Sequence, residues 1–296
     1  MQTDWFSNII DNDKATFTDG RWISLSIDPS PSWSFSDEWK EHADTGQQRT
    51  WDKTAAQRLD DFYSETKTSQ QELSNKIVLD AGCGNGQLTR AISETGAYTI
   101  GIDRQPHLPA GDARLQFIQC DFDNPPLHPS AFDIIIANGS IHHTKNSFHS
   151  FLSLAGLVKE KGKLYVWVYK KQKGWQGFLV WWLDIARFFI SRMPSSLQRV
   201  SVNMLTTIFY FISRIRKGEN SNRTKDELRI NIYDAFTPRY RHYHTPDEVN
   251  GWFVECGFEE AVITHDNNRY GFGMLGIKRI QTPSRQPAVG SQQFYN

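Results

Sequence analysis

Residues 76–91, KIVLDAGCGNGQLTRA, decide the fold of this chain. The apolar run 77–79 is typical of a buried parallel strand, and it ends at the acidic residue Asp80. Three glycines follow at alternate positions, namely Gly82, Gly84 and Gly86. A helix is predicted from about Gln87, so the glycines lie in a strand-to-helix turn, where the backbone can approach a ligand closely.

The spacing of the loop indicates the kind of ligand. A dinucleotide fingerprint reads G-x-G-x-x-G and places pyrophosphate at the helix N-terminus, whereas this loop reads G-x-G-x-G behind a carboxylate. Asp80 would repel pyrophosphate and suits a cationic ligand, such as the ammonium of a methionine moiety beside a sulfonium. A glycine loop alone is also compatible with a tight turn that binds nothing.

On these residues the chain resembles the class I S-adenosylmethionine (SAM) dependent methyltransferases, with a methyltransferase type 11/12-like domain. The resemblance covers residues 76–170. It implies an α/β fold with a Rossmann-like, seven-stranded, mostly parallel sheet and helices on both faces. It also implies SAM as the cofactor.

Strand ends that follow the loop add polar residues to the same predicted crevice. A second strand at 97–103 ends at Asp103, and a βαβ unit would bring Asp103 beside Asp80. An acidic side chain there can accept both ribose hydroxyls of an adenosine. Two prolines and a glycine in residues 104–114 predict that the following helix is short or broken.

Two further strands are predicted at 115–120 and 132–138. The resemblance implies that Cys120, Asp121 and Phe122 flank the adenine, and that Asn138 and Ile141 line the methionine and methyl end. The full cofactor-binding set that it implies is Asp80, Gly82, Cys83, Gly84, Asn85, Gly86, Asp103, Arg104, Asp121, Phe122, Asn138 and Ile141.

Candidate proton-accepting residues lie at the mouth of this crevice. His142 and His143 follow the fourth strand, and an imidazole can take a proton from an attacking hydroxyl or amine. Tyr240 is a third candidate, in the loop FTPRYRHYHT at 236–245, where Arg and Tyr side chains suit an anionic or hydroxylated group. Structural hydrogen bonding is the alternative for the two histidines, and a solvated loop with an aromatic anchor is the alternative for the loop of Tyr240. The three cysteines show no metal-ligand spacing, so no metal is predicted.

Composition limits the remaining options. The net charge of zero gives no global electrostatic argument for nucleic acid binding, but residues 170–229 hold twelve Lys/Arg against four Asp/Glu. The acidic N-terminus lacks the basic residues and apolar core of an export signal. The isolated cysteines favour a reducing compartment, so a cytoplasmic protein is expected.

An apolar insertion at 174–217 interrupts the family-like pattern. It is predicted to form two helices joined at Pro194, neither long and charge-free enough to span a bilayer. Two interpretations stay open: a lid packed over the substrate crevice, or a peripheral contact with an anionic membrane or a lipid-like substrate.

The predicted division of the chain is an N-terminal cap and helix at 1–66, the SAM-binding core at 67–170, the helical insertion at 171–230, the C-terminal part of the core at 231–280 and a disordered tail at 281–296. The last helix is expected after Thr245, in a capping box with Glu248, and it precedes a closing pair of strands.

The predicted function is methyl transfer by direct displacement to a hydrophobic or anionic small-molecule or lipid-like acceptor, with O-methylation as the default. An RNA methyltransferase is a weaker alternative, because no stacking platform or separate basic domain is visible, and no nucleic acid partner is expected. The alternative from another class is a non-catalytic SAM-binding partner or regulatory protein.

Overall fold

The structure, a computed structural model, describes residues 4–18, 20–27, 49–50, 53–217, 224–267 and 270–280. The predicted tail at 281–296 and much of the predicted cap lie outside the described residues. The strands are β1 Ala15–Thr18, β2 Arg21–Ser24, β3 Arg49–Thr50, β4 Lys53–Thr54, β5 Ile77–Ala81, β6 Tyr98–Asp103, β7 Leu115–Gln119, β8 Phe132–Asn138, β9 Val158–Tyr169, β10 Val262–Asn267 and β11 Gly271–Ile277. The helices are α1 Asp4–Ser7, α2 Ala55–Thr66, α3 Gln70–Leu73, α4 Gln87–Glu94, α5 Ser147–Leu157, α6 Gly174–Ile190, α7 Ser195–Lys217, α8 Lys225–Phe236 and α9 Pro246–Glu255.

One twisted sheet organises the described residues, in the order β1-β2-β7-β6-β5-β8-β9-β11-β10. The strands from β2 to β9 in this order are parallel, whereas β11, β10 and β1 pair antiparallel. The chain leaves β5 for β6 and β7 on one side and returns to β8 and β9 on the other. This reversal of strand order opens a crevice at the carboxyl ends of β5, β6 and β8.

The sheet has nine strands rather than the predicted seven. The two extra strands are β1 and β2, whose residues the sequence placed in an irregular cap. β2 pairs in parallel with β7, with Trp22 opposite Ile118. This pairing covers the edge that β7 would otherwise expose, and burial of Trp22 against Phe6 holds the added strand in place.

The last helix and its flanks confirm the capping prediction. The Thr245 hydroxyl accepts from the Glu248 amide at 3.2 Å, and a Glu248 carboxylate oxygen accepts from the Thr245 amide at 3.4 Å. The predicted interruption after β6 is also confirmed, since residues 104–114 contain no helix. Proline there removes amide donors that a helix needs.

The insertion at 174–217 forms the two predicted helices, α6 and α7, and the chain breaks between them at Met193 and Pro194 as expected. Helix α8 follows the insertion and was not predicted. The three helices share a small core of their own, formed by Ile190, Val202, Ile232, Tyr233 and Phe236. None of the helices in the described ranges has both the length and the apolar character required to cross a membrane.

Candidate functional site

The glycine loop is held against the end of β6 by backbone hydrogen bonds. The amides of Gly82 and Cys83 both donate to the Ile102 carbonyl, at 2.8 and 3.1 Å. All three glycines have a positive φ, of 89° at Gly82, 55° at Gly84 and 74° at Gly86. Residues other than glycine rarely adopt this backbone conformation, so the geometry of the loop requires glycine at these three positions.

The loop also packs against the segment that follows β8. A Cβ added at Gly82 would lie 2.3 Å from the Ser140 Cβ, a distance that no real contact allows. The Ser140 hydroxyl donates to the Ala81 carbonyl at 2.7 Å, which joins the two segments. Phe122 approaches the same point, with its ring 3.4 Å from the added Cβ. Gly82 is therefore the point where the loops after β5, β7 and β8 meet.

Asp103 at the end of β6 is hydrogen-bonded to the glycine loop. One carboxylate oxygen accepts from the Gly84 amide at 2.9 Å, and the other accepts from the Gln105 amide at 3.0 Å. Burial raises the pKa of Asp103, while the backbone amides lower it. A carboxylate offers about four lone-pair sites, so each oxygen can accept one more hydrogen bond. The two oxygens of the Asp103 carboxylate therefore suit the two hydroxyl donors of a vicinal diol, such as that of a ribose.

Asp80 lies deeper than the sequence suggested. Its side chain is buried and accepts a hydrogen bond from the Thr89 hydroxyl of α4 at 2.7 Å. Burial raises the pKa of Asp80 to about 6, although the Thr89 hydroxyl and the Arg58 charge lower it. Asp80 can therefore act on a cationic ligand through its charge from beneath the loop.

The other predicted cofactor residues surround the same edge of the sheet. Arg104 forms an ion pair with Asp121, with 2.9 Å between Nε and Oδ1. The Asn85 side chain accepts from the Gln87 amide at 3.2 Å, at the start of α4. Cys83 is buried, and burial raises its thiol pKa well above the ordinary value.

The methionine end of the predicted crevice contains an acid that sequence reasoning missed. Asn138 donates to the buried Glu65 of α2, with 3.4 Å between Nδ2 and Oε2. Burial raises the pKa of Glu65 to about 7. Ile141 is fully buried in the short 3-10 helix Ile141–His143 that follows β8.

His143 joins two distant parts of the chain. Its Nδ1 lies 3.0 Å from the Tyr240 carbonyl, which can only accept, so Nδ1 carries a proton. Its Nε2 lies 3.4 Å from Oδ1 of Asp234 on α8, longer than an ordinary hydrogen bond. The Tyr169 hydroxyl donates to the other Asp234 oxygen. His143 is thus oriented by one group and faces a carboxylate at its other nitrogen.

Asp234 stays ionised in this setting. Burial alone would raise its pKa, but the nearby His143 ring, the hydrogen bond from the Tyr169 hydroxyl and the charge of Arg241 bring the pKa below the ordinary value. The Arg241 guanidinium lies over the Tyr169 ring, 4.3 Å from its centroid. Sequence reasoning missed Asp234 because it missed α8. The available signal was an acid between Tyr233 and Ala235, at a position flanked by apolar residues.

His142 differs from its neighbour. It is 1% exposed, and neither of its ring nitrogens makes a hydrogen bond of ordinary geometry within the described residues. Its ring lies 4.3 Å from both the His143 and Tyr169 ring centroids. Burial and the nearby charges of His143, Arg241 and His244 hold the pKa of His142 well below its usual range. His142 is therefore neutral at neutral pH.

The loop at 236–245 closes over these side chains and borders an open cleft. The Tyr243 hydroxyl donates to Asp184 of α6 at 3.2 Å, and Arg187 of α6 donates to the Pro238 carbonyl at 3.1 Å. On the outer side, His242 and His244 line a cleft of about 420 Å³ together with residues of α5 and α9. Across the residues that the structure describes, no three His, Cys, Asp or Glu side chains are grouped to hold a metal ion.

Comparison with known proteins matches the central part of the chain. Residues 79–166 match a family model described as a methyltransferase domain. An uncharacterized methyltransferase of Mycobacterium bovis is 27% identical over 110 residues, covering 35% of this chain and 56% of the relative. The ubiquinone biosynthesis O-methyltransferase of Xanthomonas euvesicatoria pv. vesicatoria is 29% identical over 132 residues, covering 40% of this chain and 55% of the relative. The chain thus spans about half the length of these curated relatives.

A solved structure is similar over most of the chain. A chain from the complex between the Haloferax volcanii Trm112 methyltransferase activator and a methyltransferase aligns with a TM-score of 0.50 at 14% identity. The alignment covers 83% of this chain and 98% of that one. At this identity the likeness is one of fold.

Proposed function

Residues 79–166 form a methyltransferase domain of the class I SAM-dependent family, and we propose that the whole chain methylates a hydroxyl group of a hydrophobic or anionic small-molecule or lipid-like acceptor. The observation that carries the proposal is the hydrogen bond that the Gly84 amide of the glycine loop donates to the Asp103 carboxylate, at 2.9 Å. This hydrogen bond holds a carboxylate that can accept from a ribose diol beside a loop whose backbone can approach a ligand closely.

The residues present fit this cofactor. Asp103 supplies the acceptor for the ribose hydroxyls, Asp121 and Phe122 border the adenine side, and Asn138 and Ile141 border the methyl side. Asp80 supplies a negative charge for the ammonium group. When bound, SAM supplies an electrophilic methyl group on a sulfonium, which needs no further activation, so the protein mainly positions the partners and excludes water.

His143 is the residue that we propose takes the proton of the acceptor hydroxyl. Its Nδ1–H donates to the Tyr240 carbonyl, so Nε2, which is buried beside Asp234, is the nitrogen whose lone pair accepts the proton once the acceptor hydroxyl reaches it. The imidazolium that results would be stabilised by the ionised Asp234, 3.4 Å from Nε2. His142 is neutral, and its low pKa makes it a poor base, so it suits a hydrogen-bonding role. Tyr240 contributes its carbonyl as the orienting group.

Replacing Asp103 with alanine tests the proposed cofactor site. Two charge-assisted hydrogen bonds contribute on the order of 3 kcal/mol together, so SAM should bind roughly 100-fold more weakly. Isothermal titration with SAM and with S-adenosylhomocysteine measures the change. Asp103→Asn keeps the shape but removes the charge, and we expect an intermediate loss.

The control for this experiment is Asp133→Ala. Asp133 also accepts a backbone amide, that of Ile77 at 2.9 Å, but it lies at the amino end of β8. Its removal should lower stability and leave the SAM affinity of the folded protein unchanged. Absence of binding by the folded native protein to either ligand would refute the proposed function.

The affinity for SAM should depend on pH through Asp80. Because the pKa of Asp80 is about 6, the carboxyl group becomes neutral as the pH falls below 6 and no longer attracts the ammonium. Titrations between pH 5 and pH 8 should therefore show tighter binding at the higher pH, and Asp80→Asn should remove this component. Thr89→Val removes the hydrogen bond that lowers the pKa of Asp80, so the midpoint should move to higher pH. A midpoint unchanged by Thr89→Val would contradict this assignment.

The class of acceptor rests on the surroundings of the site and on the relatives. The rings of Trp167 and Tyr169 border His142, Tyr243 lies next to Tyr169, and Arg241 supplies a cation over the Tyr169 ring. Relatives of the matched domain include ubiquinone biosynthesis O-methyltransferases. Release of S-adenosylhomocysteine with lipid extracts, with small phenols or alcohols, and with RNA compares the candidate acceptors. We expect turnover with the lipid extracts or phenols, whereas turnover with RNA alone would favour an RNA methyltransferase.

A further inference from the structure

The outward sides of α6 and α7 carry an apolar surface that the fold does not use. We define the outer apolar face as the exposed large apolar side chains of these two helices: Trp175, Phe178, Leu179, Trp181, Trp182, Leu183, Phe188, Phe189, Leu197, Val200, Met204, Ile208, Phe209, Phe211, Ile212 and Ile215. Their exposure ranges from 37% at Phe209 to 73% at Ile215. Packing of the helices on each other therefore leaves most of their apolar residues uncovered.

Four aromatic rings on α6 form a continuous row. The Phe178 ring lies 5.5 Å from Trp175, 6.1 Å from Trp181 and 6.2 Å from Trp182. These four side chains are 48% to 72% exposed and present on the order of 400 Å² in total. Phe188 and Phe189 form a second exposed pair, with ring centroids 5.5 Å apart. The residues of α7 add to this area. Patches of this size on folded proteins mark interaction sites.

The positive charge of residues 185–217 favours an anionic partner. Residues 185–217 contain six Lys/Arg and no Asp or Glu. The one acid of α6, Asp184, is bound on the inner side by Arg187 at 3.1 Å and by the Tyr243 hydroxyl. Arg192, Arg199 and Arg214 are exposed. A second copy packed on the same face would bring together two basic segments without an acid in 185–217 to neutralise them, whereas an anionic surface complements their charge.

We propose that the outer apolar face binds an anionic phospholipid membrane, with α6 and α7 lying in the plane of the interface. The tryptophan and phenylalanine rings of α6 enter the boundary between headgroups and acyl chains, where amphipathic rings are favoured. Arg192, Arg199 and Arg214 contact the headgroup phosphates. This membrane contact is independent of the proposed methyl transfer, because none of these residues belongs to the cofactor site.

Vesicle co-sedimentation tests the proposal. The full-length protein should sediment with vesicles of equal parts phosphatidylcholine and phosphatidylglycerol at low salt, and only weakly with phosphatidylcholine alone. Trp181→Ser with Trp182→Ser should weaken binding at least about tenfold, since two partly exposed rings no longer leave water. Arg192→Gln, Arg199→Gln and Arg214→Gln together should weaken it roughly 100-fold and reduce its dependence on salt.

The matched control is Leu152→Ser, which removes an apolar side chain of α5 that is 48% exposed and lies outside the insertion. It should bind vesicles like the native protein. Circular dichroism and SAM titration confirm that each variant is folded. The proposal is overturned if the native protein stays in the supernatant, or if the double tryptophan variant sediments as the control does. It is also overturned if the native protein is a stable dimer and the double tryptophan variant alone is a monomer, because a second copy then covers the outer apolar face.

Discussion

Replacing Gly82 with alanine is expected to abolish measurable SAM binding and to lower the free energy of unfolding by about 3 kcal/mol. The new Cβ would lie 2.3 Å from the Ser140 Cβ, and φ at this position is 89°. Either the loop or the segment after β8 must move, and both border the proposed cofactor site. A displacement of about 1 Å in a positioning loop suffices for losses of about 100-fold. Titration calorimetry and thermal denaturation measure the two effects.

The matched control is Gly251→Ala on α9. A Cβ there meets nothing within 4 Å, and the residue lies in a helix. Alanine is a better helix former than glycine by about 1 kcal/mol, so stability should stay the same or rise slightly. SAM affinity should not change. If Gly82→Ala bound SAM as tightly as the Gly251→Ala protein, the glycine loop would not be the cofactor site.

Replacing His143 with alanine is expected to lower the rate of methyl transfer by about 10²- to 10⁴-fold while SAM affinity changes less than about twofold. The loss of proton acceptance explains the first effect. The second follows because the groups that orient His143 are Tyr240 and Asp234, and its ring faces His142 and Tyr169, none of which belongs to the proposed cofactor site. The rate is measured as S-adenosylhomocysteine release with the acceptor that the screen identifies.

Asp234→Asn separates a chemical role of His143 from a structural one. The amide keeps the shape and can still accept from the Tyr169 hydroxyl, but it cannot stabilise an imidazolium by charge. We expect a smaller loss of rate than in His143→Ala, with the fold and SAM affinity retained. Unchanged turnover in His143→Ala would exclude His143 as the base.

Local patterns account for the parts of the fold that the sequence predicted well. The apolar run before Asp80, the alternate glycines and the following amphipathic helix describe β5, the loop and α4, because each depends on neighbours within a few residues. The capping box at Thr245 and Glu248 is equally local. The strand-end positions of Asp103 and Asn138 follow from the same periodicity, since a buried parallel strand reads as a continuous apolar run.

Other features could not be predicted because they depend on contacts between distant segments. The strand β2 has little periodicity of its own and becomes a strand by pairing with β7, which covers the sheet edge with Trp22. Helix α8 is weakly amphipathic and is stabilised by packing against Ile190 and Val202 of the insertion. Short segments of this kind take their structure from the tertiary environment, which overrides intrinsic propensity.

The sequence by itself predicted the buried strand β5, the glycine turn and the acids at the strand ends, because hydrophobic periodicity and glycine placement are properties of contiguous residues. The fold class and the proposed cofactor-binding set followed from the family resemblance. Only the tertiary structure decided three further points: that Asp80 faces Thr89 beneath the loop, that His143 meets Asp234 from α8, and that α6 and α7 keep their apolar residues exposed. Each of these points depends on which side chains are buried when helices and strands that lie far apart in the chain pack against each other.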